Sequence, residues 1–158
     1  MTTKIVAVAS DESTALAFDV VPGQAHEAPR LKPLLARTMA RLRPTAPALS
    51  PADPVSPPVP PVRQLVGDKA YGGQPQREAC AELGVVLVSP SKKNAVHPVP
   101  LDKAAYRQRN RIERLFAKIK EFRRVATRYE KLKETFVGLL HLVFGFVRLK
   151  AINIVNRA

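Results

Sequence analysis

The sequence contains a single cysteine, Cys80. That excludes an internal disulfide and any zinc cage built from cysteines, and it agrees with a reducing compartment. Its place in an amphipathic stretch marks it as a buried structural thiol. Acidic residues are also scarce: 13 Asp and Glu stand against 26 Lys and Arg, for a net charge of +13 and an isoelectric point near 10.5. Such an excess points to a polyanionic partner, whether DNA, RNA or an acidic membrane surface. No leader peptide is visible in the first residues, MTTKIVAVAS, which have no basic region followed by a full apolar core. Nor is there a long hydrophobic run. Residues 136–147 are strongly apolar, but they are too few to span a bilayer and include His141. These absences read as a cytoplasmic chain with no membrane partner. His26 and His97 have no metal-ligating neighbours at useful spacing.

Proline is abundant, and most of the 15 prolines lie together. Residues 44–61, PTAPALSPADPVSPPVPP, support neither a helix nor a central strand, because proline removes a donor and fixes φ. An extended linker with polyproline character is expected there, and a ligand for a proline-recognising domain is the alternative. The linker separates residues 1–43 from residues 62–158. With 46% hydrophobic residues the chain can bury a core and fits one α/β domain.

Before the linker, KIVAVAS (4–10) and ALAFDVV (15–21) are short, β-branched and apolar, and read as an antiparallel hairpin. Residues 27–42 place Leu31, Leu34, Leu35, Met39 and Leu42 at helical spacing. After the linker come a strand (62–67), a helix (75–83, with Ala79, Cys80 and Leu83 inward) and a strand (85–88). Strand, helix and strand with short connections is the parallel βαβ pattern. Asp102 is a good N-cap for a helix starting beside it. Residues 133–154 predict a final helix, apolar nearly all round and therefore buried or partnered.

Tyr106–Lys120, YRQRNRIERLFAKIK, has neither proline nor glycine and predicts one continuous helix. At about 100° per residue, Tyr106, Arg109, Glu113 and Lys120 share a face, and Ile112, Leu115, Phe116 and Ile119 line an adjoining one. From Lys103 to Lys133 twelve Lys or Arg surround three Glu. A lone acid among cations, Glu113, suits a metal ligand beside a phosphate backbone. It equally suits a solvated helix carrying an i,i+4 Arg109–Glu113 pair, and spacing alone favours the latter. Asp68, at the end of a predicted parallel strand, stands where open α/β sheets place ligands. An aspartate after a strand is more often a turn or cap residue, so spacing carries little here.

Two segments, VGDKAYGG and YRQRNRIERLFAKIKEFRRVATRYEKL, resemble the C-terminal half of bacterial DDE-type insertion-sequence transposases. Tyr106, Arg109, Glu113 and Lys120 match that group's tyrosine–arginine–glutamate–lysine signature, with two, three and six intervening residues. TTKIVAVASDESTALAFDVVPGQAHEAP resembles the hairpin and helix upstream, so the likeness covers nearly everything except the proline-rich run. It implies an RNase H-like catalytic domain, a mixed sheet with helices, that cuts and joins DNA with Mg2+ or Mn2+. Asp68 and Glu113 would be its catalytic metal ligands. Tyr106, Arg109, Lys120, Arg123 and Arg124 would face DNA, namely transposon ends and target.

The resemblance also has a gap. The family's first aspartate lies on a strand upstream of the segment matched by Thr2–Ile5, and neither Asp11 nor Asp19 stands in its place. The expectation is a domain lacking its first strand, inactive alone and completed by an upstream-frame product or a full-length transposase. The alternative is a non-catalytic basic DNA-binding fragment that modulates a full-length relative.

Overall fold

The structure is a computed structural model that describes residues 3–42, 62–95 and 97–155. The linker expected at 44–61 lies outside the described residues. In chain order the elements begin with β1 (Thr3–Ala9) and β2 (Ala15–Pro22), then a 3-10 turn at Ala28–Arg30 that leads into α1 (Leu31–Leu42). They continue with β3 (Gln64–Val66), a 3-10 turn at Lys69–Tyr71, α2 (Gln74–Ala81) and β4 (Val86–Val88). Last come α3 (Lys103–Tyr106), a 3-10 turn at Arg107–Arg109, α4 (Asn110–Lys120), α5 (Arg123–Ala126) and α6 (Lys133–Val155). The described strands form two two-stranded sheets, β1–β2 and β3–β4. The architecture is mixed α/β in two units.

The first unit comprises Met1–His26 and Arg107–Ala158. β1 and β2 pair antiparallel from Thr3↔Pro22 to Ala9↔Ala15, with a register shift between Val8 and Ala9. Asp11 organises the turn: its Oδ1 accepts from the Ser13 N–H and the Ser13 hydroxyl, both at 2.7 Å. The hairpin and the helices share one core. Leu115 and Ile119 of α4 are fully buried against Val20, Val125, Phe136, Leu140, Val143 and Val147. The Phe18 ring tilts against His141 and Phe144, with centroids 4.7 and 5.1 Å away.

The second unit comprises Glu27–Tyr106. β3 and β4 pair in parallel, Leu65 opposite Leu87, with α2 between them in the chain as the βαβ pattern requires. Leu31 and Leu35 from α1 pack with Cys80, Val85 and Leu87. Burial pushes the Cys80 thiol up, as a structural cysteine requires. Gly84 adopts φ 70° after α2, a left-handed stop that a Cβ would disfavour. Asp102 caps α3 through Oδ1, which accepts from the Ala105 N–H at 2.9 Å.

The helix expected at 106–120 needs correction, while the last helix forms nearly where expected, as α6. The stretch Tyr106–Lys120 is not one helix, because Arg107–Arg109 form a 3-10 turn between α3 and α4. The uniform 100° step that put Tyr106 on the face of Glu113 does not hold across that turn. The last helix is not buried all round: Leu142, Phe146 and Leu149 are 74%, 56% and 62% exposed. Finally, α6 continues well beyond the apolar run and is long and apolar enough to cross a membrane by length and composition. One face of it packs on β2 and α4.

Candidate functional site

The segment GDKAYGG builds a rigid mount for Asp68 at the end of β3. The Gly67 N–H donates to Val88 O at 2.9 Å, extending the parallel ladder by one rung. The Ser89 hydroxyl then donates to Asp68 O at 2.7 Å. Arg77, reaching across from α2, donates through Nη1 to Leu87 O (3.1 Å) and through Nη2 to Ser89 O (2.6 Å). A guanidinium fork thereby ties off the last carbonyls of β4 and the loop that holds Asp68. The Asp68 side chain is exposed and its Oδ1 accepts from the Lys69 N–H at 2.6 Å, capping the 3-10 turn. Tyr71, in that turn, donates from its hydroxyl to Glu27 Oε2 at 3.3 Å. Burial pushes the Tyr71 hydroxyl well above its ordinary range, and the Glu27 carboxylate adds to the effect. A Cβ on Gly72 would overlap the Pro90 carbonyl, so only glycine fits there.

Glu113 lies in the first turn of α4, where a negative charge complements the helix dipole. Its Oε1 is 2.7 Å from Arg109 Nη2, with side chains 53% and 30% exposed. The i,i+4 pair is therefore present. Arg114 and Lys118, on the same helix, turn instead to Glu12 of the hairpin, at 3.0 and 3.3 Å. Hydrogen bonds from Arg114 and Lys118 hold the Glu12 carboxyl below its usual range. Arg111, Lys120 and Arg123 are exposed or partly so. Arg124 binds Glu130, and its guanidinium lies over the Tyr129 ring. Tyr106 is half-buried as the last residue of α3.

Asp68 and Tyr106 thus belong to the Glu27–Tyr106 unit, and Arg109, Glu113, Lys120, Arg123 and Arg124 to the other. Within the latter, Arg109 and Glu113 touch. The α4–α5 segment concentrates cations, which favours a polyanion. The two carboxylates are hard oxygen donors of the kind Mg2+ or Mn2+ takes, with water and phosphate completing the shell. Among the described residues no three His, Cys, Asp or Glu side chains gather into a metal-ligating cluster. Arg77 and Ser89 escaped the sequence reading. An arginine three residues before the buried Cys80 on a crossover helix was the available signal, but its target carbonyls are set by tertiary packing.

Two family models, both described as a transposase DDE domain, match the chain over residues 1–98 and 65–150. A protein of Brucella ovis, named as a candidate transposase for insertion sequence element IS6501, is 26% identical over 155 residues. The match covers 95% of this chain and 100% of that protein. No solved structure matches.

Proposed function

Because the chain belongs to the family of transposase DDE domains, we propose that it acts on DNA as part of an insertion-sequence transposase. The observation that carries this reading is the cationic α4–α5 segment with Glu113 embedded in it. Lys120, as a point charge, and Arg123, as a fork, hold the phosphate backbone, while Arg109 and Arg124, each paired with a carboxylate, add positive charge beside it. Tyr106 packs beside the DNA at the entry to α4. Asp68 and Glu113 furnish oxygen ligands for Mg2+ or Mn2+, which when bound would supply the positive charge that phosphodiester cleavage and strand transfer demand. Each carboxylate is oriented within its own unit, Asp68 by the Lys69 N–H and Glu113 by Arg109.

An RNase H-like core is the fold this reading takes, formed from residues 1–43 and 62–158 and joined through 44–61. The hairpin, the parallel β3–β4 pair with Asp68 at its end, and the helices support it. Two carboxylates alone give a metal few protein ligands. The chain therefore binds DNA by itself and cuts it only when an upstream-frame product or a full-length transposase completes the site. The cytoplasm, where bacterial chromosomal DNA lies, is the compartment required.

A second reading, a non-catalytic DNA-binding fragment that modulates a full-length transposase, is favoured by the engagement of Glu113 with Arg109. Complementation separates the two. The chain is mixed with a full-length relative inactivated at its own glutamate, and nicking of inverted-repeat DNA is followed in Mg2+ or Mn2+. The first reading expects wild-type chain, but not Glu113→Gln, to restore nicking. Inhibition by both, with no rescue, supports the second. Metal-dependent nicking by the purified chain alone overturns its dependence on a partner.

A further inference from the structure

Residues 127–131, which follow α5, form a turn that is fixed more firmly than a solvent loop requires. Arg128 takes φ 50°, the left-handed region that a residue with a Cβ enters only at a cost. Its guanidinium lies over the Phe136 ring, 4.4 Å from the centroid, and its Nε donates to Glu130 O at 3.2 Å. The Glu130 side chain is only 8% exposed, and its Oε1 accepts from Arg124 Nε at 2.8 Å. Two buried atoms here, Arg128 Nη1 and Glu130 Oε2, have no hydrogen-bond partner. Strain and desolvation therefore both oppose this conformation, and the packing of Arg128 and Glu130 enforces it.

Between those two anchored residues stands Tyr129. Its N–H donates to Arg124 O at 3.0 Å, yet the residue is 66% exposed. The Arg124 guanidinium sits 4.5 Å from the ring centroid and covers one face. The rest of the residue is largely open to water. An aromatic ring displayed on this fixed backbone and backed by a cation, with exposed Arg123 next to Arg124 in the chain and exposed Lys131 two residues on, its Nζ donating to Arg128 O at 3.4 Å, adds little to a core.

We propose that Tyr129 is a stacking platform for an unpaired DNA base, with Arg124 behind the ring and Arg123 and Lys131 gripping the adjoining phosphates. Every base has a π-face, so such a platform takes any sequence, and a cation behind the ring strengthens the stack. Duplex DNA keeps its bases stacked on one another and offers the cations only its phosphates. The platform therefore discriminates frayed or single-stranded ends from duplex. It rests on the reading that the chain acts on DNA.

The test measures anisotropy of labelled oligothymidine and of blunt duplex with the full chain, wild type, Tyr129→Ala and Tyr129→Phe. Tyr129→Ala should weaken oligothymidine binding by about fivefold or more. It should leave duplex binding within about twofold, with the salt slope unchanged because every cation that meets a phosphate is retained. Tyr129→Phe should bind like wild type. Wild type should also quench a 2-aminopurine base in the single strand, and Tyr129→Ala should not. Far-UV circular dichroism confirms that each variant folds. Equal effects on both DNAs, or no effect of Tyr129→Ala on oligothymidine while wild type binds duplex, would overturn the platform and leave the DNA reading standing. Wild type binding neither DNA would overturn both.

Discussion

Arg109 Nη2 and Glu113 Oε1 lie 2.7 Å apart, one turn from each other at the start of α4. Water reaches both side chains, so the pair contributes about 0.3–0.5 kcal/mol to stability, in line with exposed i,i+4 pairs. Its larger consequence is to hold the carboxylate in one orientation on a cationic surface. Glu113→Gln should therefore shift the urea midpoint hardly at all. It should nevertheless weaken Mn2+ binding, followed by electron paramagnetic resonance in the presence of duplex DNA, and Asp68→Asn should do the same. Unchanged Mn2+ affinity in both variants would contradict a metal-binding role for these residues.

Asp11 makes the hairpin turn sensitive to acid. Burial pushes its carboxyl up, but hydrogen bonds from the Ser13 hydroxyl and N–H and from the Ser10 hydroxyl more than offset this, leaving it at about 2. The folded value thus lies below the ordinary 3.8, so the ionised form stabilises the fold. That stability is present in full above about pH 4 and is lost as pH falls toward 2. Urea titrations across this window should give a shallower pH dependence for Asp11→Asn than for wild type. Parallel curves would mean that the turn does not favour the ionised aspartate.

Leu115 and Leu142 test which faces of the helices are inside. Leu115 is fully buried beneath α6, whereas Leu142 is 74% exposed. Leu115→Ala should cost about 2–5 kcal/mol, because it removes buried methyl groups and leaves a cavity. Leu142→Ala should stay within about 0.5 kcal/mol. Chemical denaturation of the two variants gives the comparison directly, and comparable losses would contradict the packing of α6.

The hairpin, the parallel β3–β4 pair and α1 were legible because alternation, β-branched runs and helical spacing report burial directly. The helix break at Arg107–Arg109 was not, since its residues are good helix formers individually. Nor could periodicity assign a buried face to α6, whose apolar residues surround it; that choice is made by what β2 and α4 bring to it. Glu12 shows the same limit at the site. It pairs with Arg114 and Lys118, which stay exposed, a partnership between residues far apart in the chain. Thr38 is a polar counterpart: fully buried in α1, it is satisfied by donating to Leu34 O at 2.9 Å. The Tyr–Arg–Glu–Lys spacing, by contrast, was read from sequence alone, and the family it pointed to is the one the chain belongs to.

The most direct test of the proposed function is duplex DNA binding by the full chain, titrated across roughly 50 to 200 mM salt. Affinity should fall steeply with salt, and Lys120→Ala with Arg123→Ala should both weaken binding and flatten the slope, by about one unit for each phosphate left without its cation. Glu113→Gln should leave this binding intact. Affinity that ignores salt, or that survives removal of these cations unchanged, would contradict a DNA-facing α4–α5 surface and with it the proposed function.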